Sequence, residues 1–215
     1  MRGRWAAGIV PRNFCWVIEG RLAVSERPGG YAPHHRRVRR QEEIIWIVAQ
    51  HFDRVISLLP STHNLHAYEE RNLPSAHFPL PAHADAAATL GELYPALLGW
   101  LRDGERLLVH QEELGERVAG VIAGFLCWSG ALPDPPRAIS VVEHILKRQL
   151  GAAGRSIVAA SIELPPPSVG VGELGPRDAD EEAPSPLQVI DDGGDAAPPA
   201  GGGAPQPKSS GDRGK

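Results

Sequence analysis

The chain has 215 residues, 26 acidic against 22 Lys and Arg side chains, a formal net charge of −4 and two cysteines. That length carries a single core without disulfide help, and Cys15 and Cys127 lie too far apart in sequence to suggest a disulfide framework or metal-ligand spacing. No segment reaches the length of a membrane span, and Met1-Arg2-Gly3-Arg4-Trp5 lacks the apolar run of a signal peptide, so the default expectation is a cytoplasmic protein with no membrane partner.

In chain order, a strand pair is predicted from Phe14 to Val24, turning near Glu19-Gly20. A Pro-Gly-Gly loop leads to a helix from about Val38 to His51, with Ile44, Ile45, Ile47 and Val48 toward a sheet and Trp46 at its flank. A buried strand from Arg54 to Leu59 ends at Pro60, and Ser61-Thr62-His63-Asn64 offers caps for a short helix through Arg71. There follow a strand from His77 to Leu80, a helix from Ala86 to Leu101, a strand from Leu107 to Val109 and an apolar helix from Val118 to Trp128. A last helix starts after Pro135-Pro136 and ends near Leu150-Gly151, and Ser156-Ile157-Val158 is read as a final strand. Alternating strands and helices predict an α/β sandwich with a mostly parallel central sheet flanked by helices.

The hydrophobic periodicity places one domain over residues 1–160 and a tail over 161–215. From Pro165 onward, Pro, Gly, Ala, Ser and acids dominate, a composition that cannot bury enough apolar area to offset chain entropy, so the tail is expected to be disordered. Its one apolar island is Leu187-Gln188-Val189-Ile190, read either as a short docking motif or as a chance cluster.

The stretch that bears on function is Val109-His110-Gln111-Glu112-Glu113-Leu114-Gly115-Glu116-Arg117, which lies at a predicted strand-to-helix junction. Such a junction aims backbone N–H groups and the helix dipole at an anion. The run His110-Gln111, five residues, Arg117 resembles the signature of the cysteine-dependent dual-specificity and tyrosine phosphatases, which is His-Cys, five residues, Arg. The resemblance extends over residues 12–155: Phe14 to Gly29 resembles the entry hairpin of that family, Phe52 to Leu58 its next strand, Tyr68-Glu69 and His77-Phe78-Pro79-Leu80-Pro81 the helix and strand before the general-acid loop, and Ile139 to Gln149 its last helix.

The resemblance implies a loop cysteine thiolate that attacks phosphorus and an Arg that grips phosphate oxygens. Here Gln111, an uncharged amide, stands where the nucleophile belongs; losing a nucleophile that acts together with its partners lowers rates by roughly 10⁶-fold. Ala82 stands where the family has its general-acid Asp, a group worth about 10²- to 10⁴-fold. Asp85, three residues on, is the candidate substitute acid, its alternative role being an N-cap for the following helix. Val118 replaces a hydroxyl residue that stabilises the thiolate. The resemblance therefore implies a degenerate, catalytically inactive member, a pseudophosphatase.

For phosphate binding the candidates are Arg117 with Gly115, Leu114 and Glu116. Glu112, Glu113 and Glu116 oppose them, each like-charge contact near 4 Å being worth about 1 to 4 kcal/mol before salt screening. The competing expectation is that Arg117 pairs with one of those glutamates and pins the loop shape.

Three lesser features complete the reading. The basic run His34-His35-Arg36-Arg37-Val38-Arg39-Arg40 suits an acidic or phosphorylated protein partner or a solvated face, and without interleaved aromatics no nucleic acid is expected. His63 and His66 with Glu69 or Glu70 lack further ligands, so neither metal nor cofactor is expected. Trp46, Trp100 and Trp128 occupy apolar helix positions and are read as packing, and both cysteines as apolar fillers. The partner is expected to be an unidentified protein or phospho-ligand. Two alternatives stand beside that reading: an active phosphatase using a loop carboxylate as nucleophile, and a scaffold acting through the basic segment and the acidic tail.

Overall fold

The computed structural model describes residues 8–30, 37–62, 64–81 and 85–168. Strands β1 (Cys15–Ile18) and β2 (Leu22–Glu26) form the entry hairpin, followed by helix α1 (Arg37–Ala49), β3 (Arg54–Ser57), the short helix α2 (His66–Glu69) and β4 (Ser75–His77). Then come α3 (Ala86–Arg102), β5 (Leu107–Gln111), α4 (Glu116–Trp128), α5 (Pro135–Leu146) and α6 (Ala152–Ile162). The sheet runs β1-β2-β5-β3-β4, with β1 antiparallel to β2 and every other pair parallel. The β1–β2 register shifts between Trp16 and Ile18, a bulge that turns the edge strand.

The two-residue alternation of the strands divides the interior in two. Leu22, Val24, Leu107 and Val109 face α3, α4, α5 and α6 in the larger core, while Ala23, Val55 and Leu108 face α1 and α2 in the smaller one. Both faces of the sheet are therefore covered, as a parallel sheet requires. The smaller core is sealed by Phe14, Trp16, Trp46 and Phe52, with Trp16 stacked on Phe52 at 5.4 Å. Trp100 and Trp128 pack against the larger core, and Trp46 against the smaller.

Helix α4 is buried almost throughout because α6 lies directly along it. A Cβ on Gly120 would come within 2.5 Å of the Gly154 carbonyl oxygen, and one on Gly154 within 2.6 Å of the Glu116 carbonyl oxygen, so two glycines let the backbones touch. That contact fixes the start of α4.

Several boundaries differ from the sequence expectation. Ser156-Ile157-Val158 belongs to α6 and is not a strand: Gly151 forms the N-cap, alanines dominate the helix, and Ile157, Val158 and Ser161 make its buried face. A β-branched pair outweighed the helical spacing around it. The strand expected at His77–Leu80 lies earlier, at Ser75–His77, because Pro79 and Pro81 have no N–H to continue a ladder, although Phe78 and Leu80 still donate to the carbonyls of Ser57 and Leu58 at 2.9 and 3.2 Å. Helix α5 stops at Leu146, ended by Lys147 at φ 50°. Helix α2 starts from Leu65 without a side-chain cap, and Val48 points outward at 40% exposure. Leu164 packs on the larger core, and the Trp128 indole donates to the Pro165 carbonyl at 2.7 Å. The island Leu187 to Ile190 and the rest of the sequence from residue 169 lie outside the described residues.

Candidate functional site

Central strand β5 runs two residues beyond its expected end and α4 begins two residues early, so the junction reduces to Glu112–Gly115. It opens at the carboxyl end of the parallel strands, where α/β folds place their ligands. Leu114, 5% exposed, drops its side chain into the larger core and anchors the loop, so only its backbone faces outward. Gly115 is the N-cap of α4 and donates to the Glu113 carbonyl at 2.8 Å.

Gln111 ties this loop to its neighbour. Its Nε2 donates to the Leu58 carbonyl at 2.7 Å, and its Oε1 accepts from the Glu112 N–H at 3.0 Å. Both ends of the amide thus bond backbone, and one N–H at the start of the loop is turned inward. The segment after β2 completes the wall: the Arg27 N–H donates to the Gln111 carbonyl at 2.7 Å, its Nε to the Gly30 carbonyl at 2.7 Å, and its Nη1 lies 3.7 Å from Glu112 Oε1. Glu43, 1% exposed, holds that segment from behind, accepting from the Gly29 N–H at 2.6 Å and from Arg39 Nε at 2.7 Å.

Arg117 makes no ion pair among the described residues, which corrects the expectation that a loop glutamate neutralises it. Its Nη2 donates to the Pro81 carbonyl at 3.1 Å, and its Nε is buried without a partner among the described residues. Geometry explains this. Glu112 turns to Arg27, Glu113 is exposed, and Glu116 folds back on Gly151, where a Cβ would come within 2.2 Å of its Oε2. The Glu116 carboxylate therefore faces the positive end of the α6 dipole.

These residues bound an open cleft of about 360 Å³, lined by Gln111, Glu112, Glu113, Gly115, Glu116, Arg117 and Val118, with Pro60 and Leu80 opposite. Val118 is 1% exposed and brings no hydroxyl. Asp85 is not part of this lining; it caps α3, accepting from the Ala87 N–H at 3.0 Å. Ala82 and His63 lie outside the described residues. His66 is exposed on α2.

On the α1–α2 side of β5, His110 is 1% exposed and pairs through Nε2 with the Tyr68 hydroxyl at 3.1 Å. Burial, then the charge of Arg27 and His77, lowers its pKa from 6.5 to about 3, so the ring is neutral at physiological pH. Burial also pushes the Cys15 thiol up to about 11 and raises that of Cys127, which leaves neither as a thiolate at neutral pH. Neither cysteine lines the cleft. The Gln111 clamp, Arg27 and Glu43 were not singled out from the sequence. Only Arg27 had a local signal, in the Glu26-Arg27-Pro28-Gly29 turn.

No protein-family model matches the chain, and no curated protein sequence matches it. Solved structures of the same fold do. The structure of Tk-PTP in its active form is 21% identical, covering 71% of this chain and 98% of that one with a TM-score of 0.57. Kinase associated phosphatase, with its catalytic-site cysteine substituted by serine, is 16% identical, covering 69% and 93% with a TM-score of 0.60. Human DUSP28 is 15% identical, covering 72% and 96% with a TM-score of 0.54. The structural neighbours of this chain are thus dual-specificity and tyrosine phosphatase-fold proteins.

Proposed function

We propose that this chain is a phosphatase-like domain that has given up the covalent cysteine route and acts by binding a protein or phospho-ligand. The observation that carries this reading is the position of Gln111. It stands at the strand end where the resembled family has its nucleophile, and both ends of its amide bond the backbone of Leu58 and Glu112. An amide there offers no attacking electron pair, and the raised thiol pKa values of Cys15 and Cys127 supply no substitute. Asp85, bonded to the first turn of α3, fits a cap better than a general acid.

A second reading has one observation in its favour. Glu113 is exposed at the cleft and enters no ion pair among the described residues, so its carboxylate is available to attack phosphorus, breaking the P–O ester bond and releasing the alcohol or phenol with a proton taken from water, to give an acyl phosphate that a second water hydrolyses to phosphate and free carboxylate. Hydrolysis of an aryl phosphate separates the two readings, using the native chain, Glu113→Gln, Gln111→Cys, and Gln111→Cys with Ala82→Asp. The binding reading expects a silent native protein and turnover once the thiol and acid are restored. Native turnover that disappears in Glu113→Gln would establish the carboxylate route instead.

A further inference from the structure

A second concavity, of about 350 Å³, opens between α1 and α2. Its polar lining comes from Arg37, Arg40, Gln41, His66, Glu70 and Arg71. Three guanidinium groups therefore face one carboxylate. Arg40 is oriented by its bond to Asn64 Oδ1, whereas Arg37 and Arg71 are exposed and enter no ion pair among the described residues. Their neighbour Arg39 turns away to Glu43, so the positive charge at this cavity is not simply that of a helix in which every Arg meets its acid.

Guanidinium groups gathered around one cavity repel each other unless an anion joins them. Each presents a planar fork that matches phosphate oxygens bidentately. The volume falls within the roughly 300–1,000 Å³ of small-ligand sites. Arg37 on α1 and Arg71 just beyond α2 offer two exposed forks from opposite sides of the cavity, and Arg40, bonded to Asn64, adds its charge between them; one phosphoryl group satisfies one or two forks, and positive charge spread this way matches oxygens carried on more than one group. We propose that the α1–α2 cavity binds clustered phosphoryl groups, the chemistry of a di- or triphosphate, at a site separate from the Gln111 loop. The inference goes beyond the proposed function and holds whether or not the loop hydrolyses esters.

The test is calorimetric titration of the full chain at low ionic strength with inorganic tripolyphosphate, with orthophosphate, and with a peptide carrying two adjacent phosphoserines. The native chain should bind at least one clustered probe more tightly than orthophosphate, and the tighter of the two identifies a free or a peptide-borne source. Arg37→Ala with Arg71→Ala should weaken that binding by roughly tenfold or more, Arg37→Lys with Arg71→Lys by less, and Arg117→Ala should leave it unchanged. Absence of binding by the native chain, equal affinity for orthophosphate, or loss on Arg117→Ala with retention in the Arg37 and Arg71 variants would each overturn the proposal. Because both side chains are exposed, the variants are expected to keep the native far-ultraviolet circular dichroism, which is recorded alongside.

Discussion

The loop cleft and the α1–α2 cavity are nearly equal in volume, about 360 and 350 Å³, and opposite in charge. Three carboxylates and one guanidinium line the first, while three guanidiniums and one carboxylate line the second. They differ as much in construction. The cleft is made from groups the fold itself depends on: Gln111 tying two strand ends together, Leu114 anchoring the loop in the core and Arg117 on a helix fixed by its neighbour. The cavity is made largely from the far ends of long, exposed side chains. Shape at the cleft is therefore constrained by stability, whereas charge at the cavity is free to follow a ligand.

Buried groups and exposed ones should separate along that line, the largest effect coming from His110, which lies next to Gln111 on β5. Its native pKa of about 3 lies below the unfolded value of 6.5, so between those pH values the unfolded chain takes up a proton that the folded chain refuses. Its neutral burial is fully compatible with stability above pH 6.5, and stability then falls progressively as pH drops toward 3. Denaturant unfolding across that range should show a loss of a few kcal/mol, and His110→Asn should flatten the slope by about one proton. An unchanged slope would mean that the buried His110–Tyr68 pair is not acid-sensitive.

Next comes Gln111→Ala, which takes the acceptor from the Glu112 N–H and leaves the Leu58 carbonyl with the Leu80 N–H alone; a stability loss of about 1–3 kcal/mol is expected, measured by urea titration. A neutral result would show that the clamp is incidental and weaken the contrast between the two regions. Glu112→Gln with Glu113→Gln should raise orthophosphate affinity at the cleft by roughly tenfold at low salt, and by less at physiological salt. Failure to gain affinity would mean that geometry, and not charge, bars the anion. The smallest expected effect is on the stability of Arg37→Ala and Arg71→Ala, within about 0.5 kcal/mol of the native chain.

Much of this was legible in the sequence. Strand alternation, the apolar helices and the junction at Gln111 led to the correct fold class because period and turn chemistry are local properties. Helix α6 was misread because Ile157-Val158 carries a strand signal that only packing against α4 overrules. The candidate residues can be named from their positions in the sequence, but their partners cannot. Nothing local says that Gln111 reaches Leu58, that Glu116 turns to Gly151 or that Glu43 lies behind Gly29, since each contact joins segments far apart in sequence. The α1–α2 cavity was half visible: the basic run contains Arg37 and Arg40, whereas Arg71 joins them only once α2 folds across α1.

The ends of the sheet have a consequence for how the protein behaves at high concentration. An open strand edge is a template on which a second chain can add, and long flat apolar edges lead to aggregation. At one end β4 offers only Ser75–His77 before prolines remove the next donors, and at the other β1 is bulged at Trp16 and lies against α5. Neither edge gives a newcomer a regular ladder to copy, so a chain rich in apolar strands is protected from edge-to-edge stacking by the shortness of one margin and the irregularity of the other.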